Sequence, residues 1–105
     1  MSEGTDKVLE IARRFVRAVQ VSGIEVVAAY LYGSHSAGTA SPDSDIDVAI
    51  ISPELSGSIF EDWQILAPLR RDIDMRIEPV GFRPEQFRDE NPLAWEVKTK
   101  GQKIL

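Results

Sequence analysis

The chain contains no cysteine, so disulfides and thiolate metal sites are both excluded. Its one histidine, His35, excludes a metal centre built on several imidazoles. No apolar run approaches the roughly 20 residues that cross a bilayer. The opening "MSEGTDKVLEIARRF" lacks the charged, apolar and small-residue blocks of a secretory leader. Positive charge is scarce too: 12 Lys and Arg stand against 17 Asp and Glu, for a net charge of −5. A protein that coats DNA or RNA needs a basic surface, so nucleic acid is not expected as a general ligand. Repeats, low-complexity tracts and linkers are also lacking. These absences fit a cytoplasmic protein without membrane association.

What remains is an ordinary globular composition, 43% apolar and 28% charged over 105 residues. That length suits a single domain with one modest core, expected to span residues 1–105. Asp6 to Val21 reads as a helix whose apolar stripe is Val8, Ile11, Ala12, Phe15, Val16 and Val19, with Gly23 as its stop. "EVVAAYLY" (Glu25 to Tyr32) reads as a buried strand, and "DIDVAIIS" (Asp45 to Ser52) as a second. Ser58 and Glu61 form a capping-box pair that opens a helix to about Leu69. "RDIDMRIEPVGF" is the expected third strand, from Asp72 to about Val80. On that strand Ile73, Met75 and Ile77 share one face, and Asp72, Asp74, Arg76 and Glu78 share the other. Pro84 and Asn91-Pro92 mark short helical starts, Gly101 ends the second, and "KIL" adds a short strand. The order predicts an α/β (α+β) fold with a mixed sheet packed by helices.

The chemistry concentrates in "YLYGSHSAGTASPDSDIDVAII", Tyr30 to Ile51. Asp45 and Asp47 stand two apart on a strand, so they share a face, about 6.5–7 Å apart at Cα for a rise of roughly 3.3 Å per residue. Burying like charges together is costly unless a cation compensates. Carboxylates so spaced suit one or two hard divalent ions, Mg²⁺ first among them. A third acid is expected from the neighbouring strand, with Asp72, Asp74 and Glu78 as candidates. The loop before the pair opens with Gly33-Ser34. Glycine there allows close backbone approach, and successive N–H groups can cradle phosphate oxygens. Taken alone, such a loop is an ordinary connection and an isolated Asp-x-Asp is ordinary turn chemistry. About ten residues apart, they read as a phosphate cradle facing a metal site.

"GSHSAGTASPDSDIDVAII" resembles the signature of the minimal nucleotidyltransferases of the DNA polymerase β-like superfamily: Gly-Ser after an apolar strand, a second Gly, then Ser-Asp-x-Asp leading into another. Gly33, Ser34, Gly38, Ser44, Asp45 and Asp47 match it. "IDMRIEPVGFRPEQF" is similar to the later segment of that family, where a strand acid precedes a Pro-acid-x-Phe turn, so the likeness covers roughly residues 25–105. It implies the nucleotidyltransferase fold and a two-metal transfer of a nucleoside monophosphate, AMP from ATP in the first instance, to an acceptor hydroxyl. It further implies Gly33 and Ser34 on the phosphates, with Gly38 and Ser44 completing the nucleotide loop. Asp45, Asp47 and a third acid then hold two Mg²⁺ ions. Register against "PEQF" favours Glu78 as that acid, and distance along the strand also permits Asp74. Small relatives resemble antitoxins paired with a helical HEPN-type toxin, so such a partner, or a homodimer, is the implied assembly. His35 departs from the polar or Arg residue of many relatives and reads as an exposed loop residue. Arg70, Arg71 and Arg76 lie near the third acid, and for Arg76 an ion pair is as natural as a phosphate contact. Trp63 and Trp95 read as packing residues, and Lys98, Lys100 and Lys103 as solvated surface.

Overall fold

A computed structural model describes residues 3–33 and 44–105, the side chains of residues 3–6 excepted. Helix α1 covers Glu3–Val21. It buries Val8, Ala12, Phe15, Val16 and Val19, and its arginines Arg13, Arg14 and Arg17 face solvent, as the periodicity requires. Gly23, at φ +103°, ends it in the left-handed conformation that closes many helices. Strand β1 is Ala28–Tyr32, shorter than expected at its start. The Glu25 amide is drawn out of the ladder, donating to Glu54 Oε1 at 2.6 Å.

Strand β2 is Ile46–Ile51, and helix α2 is Ile59–Leu66, capped by the Ser58 hydroxyl, which accepts from the Glu61 amide. Pro68 lies in the 3-10 turn Ala67–Arg70 that follows. Strand β3 is Ile77–Phe82, helix α3 is Pro92–Lys100 with Asn91 as its cap, and strand β4 is Gln102–Lys103. The sheet order is β3-β2-β1-β4. β1 runs antiparallel to β2 and β4, and β2 runs parallel to β3. Parallel neighbours need a crossover, and α2 lies within it. The fold is thus the expected α+β arrangement on a mixed sheet.

Alternation along β2 sorts the layers. Ile46, Val48 and Ile50 join Leu31, Phe15, Val19 and Leu66 in the core beneath α1 and α2. Ala49 and Ile51 join Phe82, Ala94 and Val97 beneath α3. Asp47 falls between them in the alternation and therefore faces the α3 side.

The third strand begins at Ile77, not at Asp72. Residues 71–76 are a turn that prolongs the helical segment, with Ile73 and Asp74 amides both donating to Arg70 O at 3.0 and 2.9 Å. Asp74 then accepts from the Arg76 amide at 2.8 Å, the two-residue backbone reach typical of aspartate in turns. The apolar alternation of Ile73, Met75 and Ile77 was therefore not a strand signal: Met75 is 59% exposed. β3 is an edge strand and its open side is blunted. Pro79 offers no N–H, and Arg70 Nη1 donates to Ile77 O at 2.7 Å.

Candidate active site

Register builds the site. Asp47 on β2 stands opposite Tyr32 on β1 and opposite Glu78 on β3. Three neighbouring strands thus place Tyr32, Asp47 and Glu78 in one row on the α3 side, at the end where β1 finishes and β2 and β3 begin. Asp45 is exposed, one residue before β2 starts, and Ser44 beside it is half-buried. Gly33 follows β1 directly at φ +76°. A Cβ at Gly33 would run into Asp47 Oδ2, so the backbone leaving β1 passes directly against that carboxylate. Only glycine satisfies both the dihedral and the contact.

Negative charge dominates this end of the sheet. Burial, and then the charges of Asp47, Glu96 on α3 and Glu78, push the Tyr32 hydroxyl far above the usual phenol range. Tyr32 is consequently a neutral hydrogen-bond donor there. Arg70 reaches Glu78, with Nη1 3.8 Å from Glu78 Oε1. That pairing is loose, because the same guanidinium serves Ile77 O and lies 4.9 Å from the centre of the Trp63 ring.

The two candidates for the third acid are separated by the fold. Glu78 adjoins Asp47 across the parallel ladder. Asp74 sits in the turn before β3, its oxygens accepting from Arg76 Nε at 3.0 Å and Nη2 at 2.8 Å. Those bonds lower its pKa below the ordinary aspartate value. The expectation that Asp74 and Glu78 share one strand face does not hold, because the chain between them is not extended. Ser34, His35 and Gly38 lie outside the described residues.

Among the described residues, no three acidic or histidine side chains converge closely enough to enclose one metal ion. The donor set itself fits a hard divalent cation. Asp47 and Glu78 adjoin, Asp45 is two residues away, every donor is an oxygen, and Mg²⁺ keeps waters and substrate oxygens in its remaining positions.

Tyr32 and Glu96 were not visible as site residues in the sequence. The hairpin register gives Tyr32 its place as the last strand residue before Gly33, a signal that was present but unused. Glu96 reaches this region only because α3 packs over the sheet, and no spacing rule announces that.

Fold and site together define an α+β protein of the nucleotidyltransferase type. The family profile described as polymerase beta, nucleotidyltransferase matches residues 16–105. The chain belongs to that family. A search of curated proteins finds no match. Three solved structures share the fold. A candidate nucleotidyltransferase from Sulfolobus solfataricus superposes with a TM-score of 0.70 at 17% identity, covering 96% of this chain and 82% of that one. A toxin–antitoxin crystallised with AMP-PNP gives 0.67 at 21% identity, covering 90% and 72%. A mutant of the toxin–antitoxin MntA-HpeT, with two aspartates two positions apart changed to glutamate, gives 0.66 at 20% identity and the same coverage.

Proposed function

We propose that the protein transfers a nucleoside monophosphate, AMP from ATP, to an acceptor hydroxyl and releases pyrophosphate. The observation that carries this reading is the register that sets Glu78 beside Asp47 with the Gly33 backbone against the same carboxylate. Phosphoryl transfer asks a protein mainly for positioning and for countercharge. Gly33 lets the main chain approach the phosphates, and Ser34 offers them a hydroxyl and an amide, with Gly38 and Ser44 completing the loop. Asp45, Asp47 and Glu78 would be the residues to hold Mg²⁺, two ions in this reading. When bound, the metal supplies countercharge for the triphosphate and makes the acceptor hydroxyl more acidic. Glu78, on the edge strand beside Asp47, takes the hydroxyl proton in this reading. Tyr32 keeps its phenolic proton and so adds no charge to an already acidic site.

Calorimetric titration of ATP with Mg²⁺ tests the assignment. Wild type is expected to bind, and an Asp45→Asn/Asp47→Asn variant to lose most metal-dependent affinity. Equal binding by the two sinks the site.

A second reading is compatible with the first: an antitoxin-type module that pairs with a helical HEPN-type toxin and inactivates it, by nucleotidyl transfer or by binding alone. Two toxin–antitoxin structures among the neighbours favour it. Transfer of label from α-labelled ATP to a co-expressed helical partner supports both readings. A stable complex without transfer leaves only the binding one.

A further inference from the structure

We propose that the groove between α2 and the turn before β3 docks an acidic, apolar peptide segment of a partner protein and presents it beside Glu78. The groove has a volume of about 500 Å³ and is lined by Trp63, Ala67, Pro68, Arg70, Arg71 and Met75. Polar and apolar surface are nearly balanced along its walls, Gln64 and the arginines standing beside exposed apolar side chains. Met75 is 59% exposed, and one helical turn before Trp63 the strip continues through Ile59 and Phe60, 70% and 69% exposed.

Charge selects the occupant. The chain carries a net charge of −5, yet two arginines meet at this groove. Arg71 is exposed and makes no ion pair among the described residues. Arg70 is held by Glu78, Ile77 O and Trp63, so a carboxylate on a docked segment answers Arg71, and apolar side chains answer Met75 and Phe60. A nucleic-acid strand fits less well. One face of Trp63 is already covered by Arg70, and two cations are few for a polyanion approaching an acidic protein.

Position links the groove to the site. Arg70 lines the groove, holds Ile77 O at 2.7 Å and stands 3.8 Å from Glu78 Oε1, so an occupant lies one side chain from the acid. That the docked segment is the acceptor rests on the transferase reading, whereas the docking does not.

The probe is a fluorescein-labelled peptide of alternating glutamates and leucines with one phenylalanine, followed by anisotropy without metal or nucleotide. Its partners are the same peptide with lysine in place of glutamate and a single-stranded oligonucleotide. Wild type is expected to bind the glutamate peptide and neither of the others. Arg71→Glu and Met75→Asp, both at exposed positions and checked for folding by circular dichroism, are expected to weaken binding roughly tenfold or more. The Asp45→Asn/Asp47→Asn variant is expected to bind the peptide as wild type does. Absence of binding, wild-type affinity in both groove variants, or preference for the oligonucleotide overturns the proposal. Peptide binding by a protein whose ATP affinity ignores the double substitution retains the docking site and removes the transferase assignment.

Discussion

At Gly33 two constraints coincide, and they separate by substitution. Gly23 and Gly33 both adopt positive φ, but a Cβ at Gly23 meets nothing within 4 Å, whereas one at Gly33 meets Asp47. Gly23→Ala is expected to cost about 1 kcal/mol of backbone strain. Gly33→Ala adds the steric conflict, for about 2–3 kcal/mol in all, and displaces the Asp47 carboxylate. Chemical denaturation of both variants reads the difference, and equal costs would show that the Asp47 contact is unimportant. The acids separate in the same way. Glu78→Gln is expected to abolish nucleotide transfer, at a loss of two or more orders of magnitude on the scale of a single catalytic group, about 10²–10⁴. Asp74→Asn is expected to leave transfer intact, since its carboxylate is engaged by Arg76. Asp74 has a different signature. Its pKa is lowered in the fold, so its contribution to stability is present above the ordinary aspartate value and fades as pH falls through the depressed one. The Asn variant should therefore lose less stability in acid than wild type. The difference is expected to be small, below about 1 kcal/mol, because the pair is near the surface. Transfer abolished by Asp74→Asn and retained by Glu78→Gln would reverse the assignment.

Among the elements, the crossover between β2 and β3 decides whether Glu78 arrives in register. Its loop is organised from inside by Asp62 on α2, fully buried. Asp62 Oδ1 accepts from the Ser56 amide at 2.8 Å and the Ser56 hydroxyl at 2.9 Å, and Oδ2 accepts from the Gly57 amide at 3.1 Å. From outside, Arg83 Nη1 donates to Pro53 O and Leu55 O at 2.9 and 2.7 Å, and Gln86 Nε2 donates to Gly57 O at 3.1 Å. The Pro84–Phe87 segment therefore clamps the loop while Phe87 packs against Tyr30 and Phe82, ring centres 5.3 Å away in each case. Asp62→Ala removes the shared acceptor of two amides and a hydroxyl and empties a buried position, though Ser56 is exposed and Gly57 half-buried, and is expected to lower stability by about 2 kcal/mol. The urea midpoint measures this. A loss within about 0.5 kcal/mol, as for an ordinary surface change, would mean that the loop holds without its buried acid.

For the whole molecule, the concentration of acids at one end of the sheet is expected to make stability depend on cations. Mg²⁺ that binds the folded chain alone must raise the melting temperature by mass action. The Asp45→Asn/Asp47→Asn variant, relieved of like-charge repulsion, is expected to melt above metal-free wild type and to ignore Mg²⁺. A wild-type melting temperature indifferent to Mg²⁺ would deny that these carboxylates form a cation site.

Much of this arrangement was legible in the chain before folding. Local rules suffice for the amphipathic α1, for the Ser58 and Asn91 caps, for the apolar runs of β1 and β2, and for the close approach of the Gly33 backbone that the sequence pattern called for, which meets Asp47. Each of those signals lies within a few residues, where helical and pleated periodicities act. Residues 72–76 misled because strand alternation and a turn closed by an aspartate can share one apolar pattern, and only the partner backbone distinguishes them. The choice of Glu78 over Asp74 as neighbour of Asp47 required the parallel ladder. Glu96 over Tyr32, the burial of Asp62 and the joining of Arg70 to Trp63 and Glu78 required packing between layers. Sequence determined which residue types gather around the end of β1 and the start of β2, since that spacing is local. Tertiary structure alone decided which acid stands beside which, because strand register and helix docking unite residues that are distant along the chain.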